Sequence, residues 1–313
     1  MTLTNYWWLL IWIFIGGVLA LFIPKQQELV NGRKVERWTM PTALILIAPY
    51  IVWAGFRSNA FGDTGSYQKA FRECASSFGE IGNYLSSVTK DKGFYLLMAL
   101  EKSIFGDSCR LFFVLLAAFQ LLIIVWMFRK YSEDYWFSIF LFIASTDYIS
   151  WTFNGIRQFT AVVIAYAATP FILKKKYIPS ILLILLASTM HQSVLLMIPI
   201  IFIIQGKAWN KKTVLCILAC LVALLFVDRF TNIMDSMLAE TQYQNVVSDY
   251  QSWNDDGTNP LRVLVYSIPM ILSLIGLKYV QAENDPMINT AVGARAIVCG
   301  LYVISMVPSG LFL

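Results

Sequence analysis

The sequence predicts an all-α protein: a polytopic transmembrane helical bundle of about ten spans, with one short re-entrant or interfacial helix. Three observations predict it. Of 313 residues, 58% are hydrophobic and only 14% are charged, where a soluble chain carries roughly 25% charged residues. Several apolar runs approach or exceed the ~18 residues that cross a bilayer. The runs are continuous rather than alternating, which argues against a transmembrane β-barrel. Residues 1–313 read as a single transmembrane domain with external loops at 57–92 and 229–260.

The elements follow from parity. The net charge of +5 lies mainly in short loops, where Lys and Arg favour the cytoplasmic side; it points to no nucleic-acid partner. The basic loops "PKQQELVNGRKVER" (24–37), "KKK" (174–176) and "GKAWNKK" (206–212) are therefore placed inside. Run 6–23 goes in, and run 40–56 comes out, leaving Arg57 and the 58–92 loop external. Run 93–105, "GFYLLMALEKSIF", has 13 residues and contains Glu101 and Lys102. A straight span needs about 20, and a crossing here would put "KKK" outside, so this run reads as re-entrant or interfacial. Runs 110–128, 135–150 and 156–173 then go in, out and in. Segment 177–205 joins two basic loops and must cross an even number of times, with its natural break at "STMHQS", 188–193. Each arm offers only ~21 Å of helix, short of ~30 Å of hydrocarbon, so the tip is expected below the outer surface. Run 213–228 exits, 261–280 enters and 287–312 exits. No basic segment precedes the first run, so no cleavable signal peptide is expected.

Several function classes find no support in the sequence. Cys74, Cys109, Cys216, Cys220 and Cys299 are scattered, mostly within apolar runs; they form no disulfide framework and no thiolate metal spacing. They read as small hydrophobes. One histidine without a nearby carboxylate or cysteine cluster cannot supply three or four zinc ligands, and no metal or cofactor is expected. No Walker motif, Rossmann fingerprint or GxSxG occurs, so ATP-driven transport and serine hydrolysis lack support.

Three polar stretches could carry chemistry. In "FNGIRQ", 153–158, Arg157 opens a long apolar helix beside Asn154 and Gln158. A permanent cation in that position is costly and functional by default. A helix N-terminus favours anions, and a guanidinium matches phosphate oxygens in pairs; the competing reading is an arginine snorkelling to lipid headgroups. In "GFRSNAFGDTGSYQKAFREC", 55–74, Arg57 stands at the external mouth of the second run, Asp63 lies between Gly62 and Gly65, and Tyr67 follows. These types suit a phosphate, a base and a sugar ring, or else an interfacial anchor and a solvated loop. In "STMHQS" the single histidine, His191, sits at the helix break with Gln192, Ser188 and Ser193. Imidazole can take a proton near neutral pH or, when charged, bind phosphate. The loop 235–260, with Tyr243, Tyr250, Trp253, Asp249, Asp255 and Asp256, could meet sugars or be solvated. Arg295 could face a cavity or pair internally.

The order and spacing of "FRSNAFGDTGSYQKAF", "KGFYLLMAL", "FNGIRQFTAVVIAYAA", "KKKY" and "LASTMHQSVLLMIPI" resemble the EpsG family, Wzy-like membrane proteins of bacterial capsule and exopolysaccharide synthesis. The resemblance covers roughly residues 50–205. It implies a polymerase that joins oligosaccharide repeat units carried on undecaprenyl diphosphate, at the outer face of the cytoplasmic membrane. It also implies a further arginine-containing external segment after the last run. Its partners would be the lipid-linked oligosaccharide, membrane lipids and other proteins of exopolysaccharide synthesis. In this reading His191, Asp63 and Arg157 carry the chemistry, with His191 and Asp63 as rival bases. Arg57, Tyr67, Asn154, Gln158 and Gln192 bind substrate, and arginine stands in for a metal ion. A flippase of lipid-linked glycans and a non-catalytic membrane subunit are the alternatives.

Overall fold

A chain with long apolar runs must satisfy its backbone N–H and C=O groups within each segment, and the helix is the element that does so. The structure is a computed structural model and describes residues 3–23, 25–30, 33–145, 147–225 and 260–304. Helix α1 spans Leu3–Leu19. Strands β1 (Gln26–Val30) and β2 (Arg33–Arg37) pair antiparallel, with Gln26 opposite Arg37. Helix α2, Met40–Gly55, has proline in its first turn, where a missing N–H costs nothing. Next come α3 (Thr64–Glu73), α4 (Ile81–Ser87) and α5 (Lys92–Phe105). Helix α6, Cys109–Tyr131, is capped by Ser108 and ends in Arg129 and Lys130, cations that suit the negative end of the helix dipole. Helices α7 (Tyr135–Ala144), α8 (Asp147–Phe153), α9 (Ile156–Tyr166), α10 (Thr169–Leu173) and α11 (Tyr177–Met190) follow. A 3₁₀ turn at Gln192–Leu196 precedes helices Met197–Ile203, Lys211–Leu225, Pro260–Ile275, Leu277–Glu283 and Pro286–Ile304.

Among the described residues, 3 helices are long and apolar enough to cross a membrane: Cys109–Tyr131, Ile156–Leu173 and Pro286–Val303. The pair Pro260–Ile275 and Leu277–Glu283, bent by 72°, makes a fourth if it counts as one span. The other apolar helices, such as Met40–Gly55 and Tyr177–Met190, have 10–17 residues. The helical membrane class therefore stands, while a total near ten depends on counting these shorter helices as crossings.

Polar segments read as loops carry structure of their own. Residues 24–39 contain the hairpin, which Glu28 ties to the end of α6 through Arg129 (2.7 Å) and to its own second strand through Arg37 (3.5 Å). The segment 57–92 holds α3 and α4. Tyr67 and Phe71, one helical turn apart on α3, pack into a buried cluster with Phe94, Met98, Phe112 and Ile156. That one-turn spacing is an amphipathic signature inside a segment whose average composition is polar. The loop 235–260 lies outside the described residues apart from its final proline.

Packing divides the chain into two compact units, residues 1–171 with 176–195, and residues 172–175 with 196–313. In the first unit, Tyr50 is fully buried and its hydroxyl meets Thr152 Oγ1 at 3.1 Å. Gln120 Nε2 joins α6 to α9 through Ile156 O (3.2 Å) and Thr160 Oγ1 (2.9 Å), so the buried amide donors are satisfied. In the second unit, Cys220 lies against Gly300, and Asn289 Oδ1 accepts from Ala208 N at 2.8 Å. Arg295 pairs internally there, donating to Tyr266 O.

Adjacent charges on α5 have opposite fates. Lys102 Nζ donates to the carbonyls of Phe71 (2.9 Å), Arg72 (2.8 Å) and Cys74 (3.2 Å), a cation closing the C-terminus of α3. Glu101 is 7% exposed, and neither carboxyl oxygen has a hydrogen-bond partner among the described residues. Burial pushes its pKa up to about 7. A carboxyl raised on folding favours the folded state most below its unfolded pKa, near 4.5, and loses that advantage as pH rises to about 7. The stability difference between Glu101→Gln and the parent is therefore expected to move in favour of the variant by up to about 2 kcal/mol from pH 5 to pH 8. Thermal unfolding of both proteins in detergent across that range checks it. A constant difference would contradict the assignment.

Candidate functional site

The segment 152–158 is a joint between helices. α8 closes with Asn154 N donating to Ser150 O (2.7 Å), and α9 opens two residues later, at Ile156. The loop after α2 is laid across this joint. Arg57 Nη1 donates to Thr152 O (2.8 Å) and Phe153 O (3.2 Å), and Asp63 N donates to Asn154 Oδ1 (2.7 Å). Gly62 sits at φ +50°, and a Cβ there would lie 2.2 Å from Asn154 Oδ1. Only glycine supplies both that backbone conformation and that approach.

Arg157 enters the site from the first turn of α9. Its Nη1 donates to Asp91 Oδ2 at 2.8 Å, and His191 Nδ1 meets the same oxygen at 3.4 Å. The carboxylate is 2% exposed, against 31% for the Arg157 side chain and 19% for His191. Asp91 thus forms the buried floor, with the guanidinium and the imidazole side by side at the rim. Asp91 Oδ1 has no hydrogen-bond partner among the described residues. The guanidinium spends one nitrogen on the floor, and its fork geometry leaves further N–H groups for an anion. The contact through Nδ1 fixes how the imidazole is oriented against the carboxylate. The arrangement can hold an oxyanion and take a proton within one rim.

Local sequence explains how Asp91 reaches this position. It precedes α5 at φ 52°, ψ 41°, a left-handed conformation that Asp and Asn tolerate better than most side chains. Two residues on, Gly93 lies against the end of α11: a Cβ would fall 2.1 Å from Thr189 Oγ1 and 2.9 Å from Thr189 O. α11 then ends where His191 turns extended, at φ −161°, ψ 122°, so the break expected at 188–193 falls at the histidine. Gly93→Ala is expected to wedge α5 from α11, lengthen the Asp91–His191 contact and lower stability by about 1–3 kcal/mol. Gly79→Ala, where no atom of the described residues lies within 4 Å of the added Cβ, is the control. Thermal unfolding compares them, and equal midpoints would contradict this packing.

The other expected residues take distinct places. Tyr67 is buried under Arg157, whose guanidinium carbon is 5.9 Å from the ring centroid. Burial raises its phenol pKa, with Arg157 acting in the opposite direction. Arg57 is 8% exposed and lies 4.0 Å from the Phe113 ring centroid. Burial lowers its pKa to about 10, so it keeps its charge at neutral pH. Asn154 is engaged by the Asp63 backbone, while the Asp63 side chain is exposed. Gln158 is half-buried on the first turn of α9, and Gln192 is exposed beside His191. His191 and Arg157 thus meet through one carboxylate, whereas Arg57 and Asp63 tie the neighbouring loop to the joint.

Sequence reasoning missed Asp91, the residue that joins the other two. The available signal was "DKG" at 91–93: an acid at the mouth of an apolar helix, followed by a glycine.

No curated protein and no solved structure matches the chain. The model of the EpsG family matches residues 42–312, a stretch that holds the joint, the Asp91 floor and the His191 break. The chain belongs to the EpsG family, and is an exopolysaccharide-related membrane protein.

Proposed function

We propose that this protein is a polysaccharide polymerase. It joins oligosaccharide repeat units carried on undecaprenyl diphosphate, at the outer face of the bacterial cytoplasmic membrane. The observation that carries the reading is the shared carboxylate, which holds Arg157 at 2.8 Å and His191 at 3.4 Å. Membership of the EpsG family supports it.

The chemistry is glycosyl transfer. A hydroxyl of the incoming lipid-linked unit attacks the anomeric carbon of the growing chain. The bond from that carbon to the diphosphate oxygen breaks, and the lipid diphosphate leaves with the electron pair. Arg157 stabilises the charge developing on the leaving group, and His191 accepts the hydroxyl proton. Asp91 fixes the ring orientation and holds the guanidinium fork, as outer partners do for catalytic groups elsewhere. Asp63, being exposed, is the rival base. Arg157 supplies the cationic charge that a divalent ion would otherwise bring, so turnover is expected to persist in EDTA.

The test is reconstitution. Purified protein in liposomes is given lipid-linked repeat units, and products are resolved by length. Longer lipid-linked chains are expected. Movement of intact units across the bilayer without extension would instead identify a flippase, and neither outcome would identify a non-catalytic subunit. Cysteines placed at the exposed positions 63 and 192 should react with an impermeant thiol reagent only from outside, and labelling from both faces would favour transport.

A further inference from the structure

An apolar slot of about 650 Å³ lies within the first unit. Four helices wall it: Leu97 comes from α5, Leu116 from α6, Ile164 from α9, and Leu183 and Met190 from α11. Three of those helices end in the polar cluster. Asp91 stands at the start of α5, Arg157 in the first turn of α9, and His191 at the end of α11. Moving away from the cluster along each helix therefore leads down the slot. Met190, the residue before His191, lines the slot and packs against the buried cluster of Tyr67, Phe94 and Ile156. From Arg157 to Ala167, the residue that closes α9 and also lines the wall, the chain rises about 15 Å. Ile104 and Phe119, also on the slot, are exposed at its edge, so it can fill sideways from a bilayer.

A soluble phosphate has no use for the slot, and a plain hydrocarbon has no use for a guanidinium. The two features occupy one set of helices, and a single molecule that satisfies both is an amphiphile with an anionic end. We propose that the slot holds the hydrocarbon chain of the lipid diphosphate, beginning at the phosphates under Arg157 and running toward Ala167 between α5, α6, α9 and α11. This rests on the function proposed above for the same site. The exposed edge admits the chain, and the polar rim sets how deep the head can go. Placing the first part of the chain in a fixed slot positions the diphosphate against Arg157 without any contact to the sugars.

The experiment is photolabelling of the full chain in lipid nanodiscs, with a polyprenyl diphosphate carrying a diazirine in its first isoprene units. Adducts mapped by mass spectrometry are expected on peptides containing 97–105, 112–123 and 183–190. Excess unlabelled polyprenyl diphosphate should compete, and phosphatidylglycerol at equal concentration should not. Leu183→Trp, which fills the slot, should lower labelling about tenfold, the size expected from overpacking. If that variant fails to fold, the wild-type map alone decides. Adducts outside the slot, absence of adducts, or equal competition by phosphatidylglycerol would each overturn the proposal; the last would identify a general phospholipid site. The labelling needs no turnover. Slot adducts without chain extension would sink the polymerase reading alone, and extension without slot adducts would sink the slot alone.

Discussion

Replacing Arg157 by alanine is expected to lower chain extension by about 100-fold or more, the usual cost of removing one donor from a charge-stabilising site. The substitution also leaves the Asp91 carboxylate, 2% exposed, without its 2.8 Å partner, so some loss of stability is expected alongside, and rates are compared on the folded, monodisperse fraction of each variant. Arg157→Lys keeps the charge but loses the paired donors, so it should recover only a small part of the activity. Asp91→Asn removes the negative floor while preserving shape, and should also depress extension. If Asp91 acts by positioning Arg157, the double variant Arg157→Ala/Asp91→Asn will be little worse than Arg157→Ala. Independent, multiplying losses would show that Asp91 works by another route. Initial rates of chain extension on purified, reconstituted variants provide the measurement. Activity within a few-fold of the parent for Arg157→Ala would refute its role at the leaving group.

Arg57→Ala is expected to fail differently, by loss of folded protein. Its guanidinium is 8% exposed, donates to the Thr152 and Phe153 carbonyls and lies 4.0 Å from the Phe113 ring. Those carbonyls close α8, where the helix has no further N–H groups to offer them. Removing a buried charged donor costs about 3 kcal/mol once the orphaned acceptors are counted. Arg57→Lys should recover part of this, since an ammonium can still reach a carbonyl but loses the planar contact with Phe113. Thermal unfolding and the yield of monodisperse protein report it. A stable, monodisperse Arg57→Ala protein that cannot extend chains would return Arg57 to the substrate side, where the sequence reading puts it.

The two arginines show how far sequence can be read. Both follow or open apolar runs, both stand beside polar residues, and both read as cations at the membrane mouth. Their difference lies in what surrounds them. Arg57 meets carbonyls 95 and 96 residues away, and Arg157 meets a carboxylate 66 residues away. Neither separation leaves a periodic trace. Tyr67 reads as a sugar platform on composition and is instead buried under Arg157, because α3 folds an amphipathic turn into the core.

Sequence by itself determined the helical membrane class, the start of a helix at "FNGIRQ" and the break at His191. These follow from local constraints, since hydropathy sets which segments leave water and backbone satisfaction makes them helices. Only the tertiary structure decided that Asp91 is the hinge of the site, 66 residues from Arg157 and 100 from His191. The physical reason is that a buried carboxylate acquires its role from the cations packed against it. That packing depends on Gly93 lying against Thr189, a contact between helices distant in the chain.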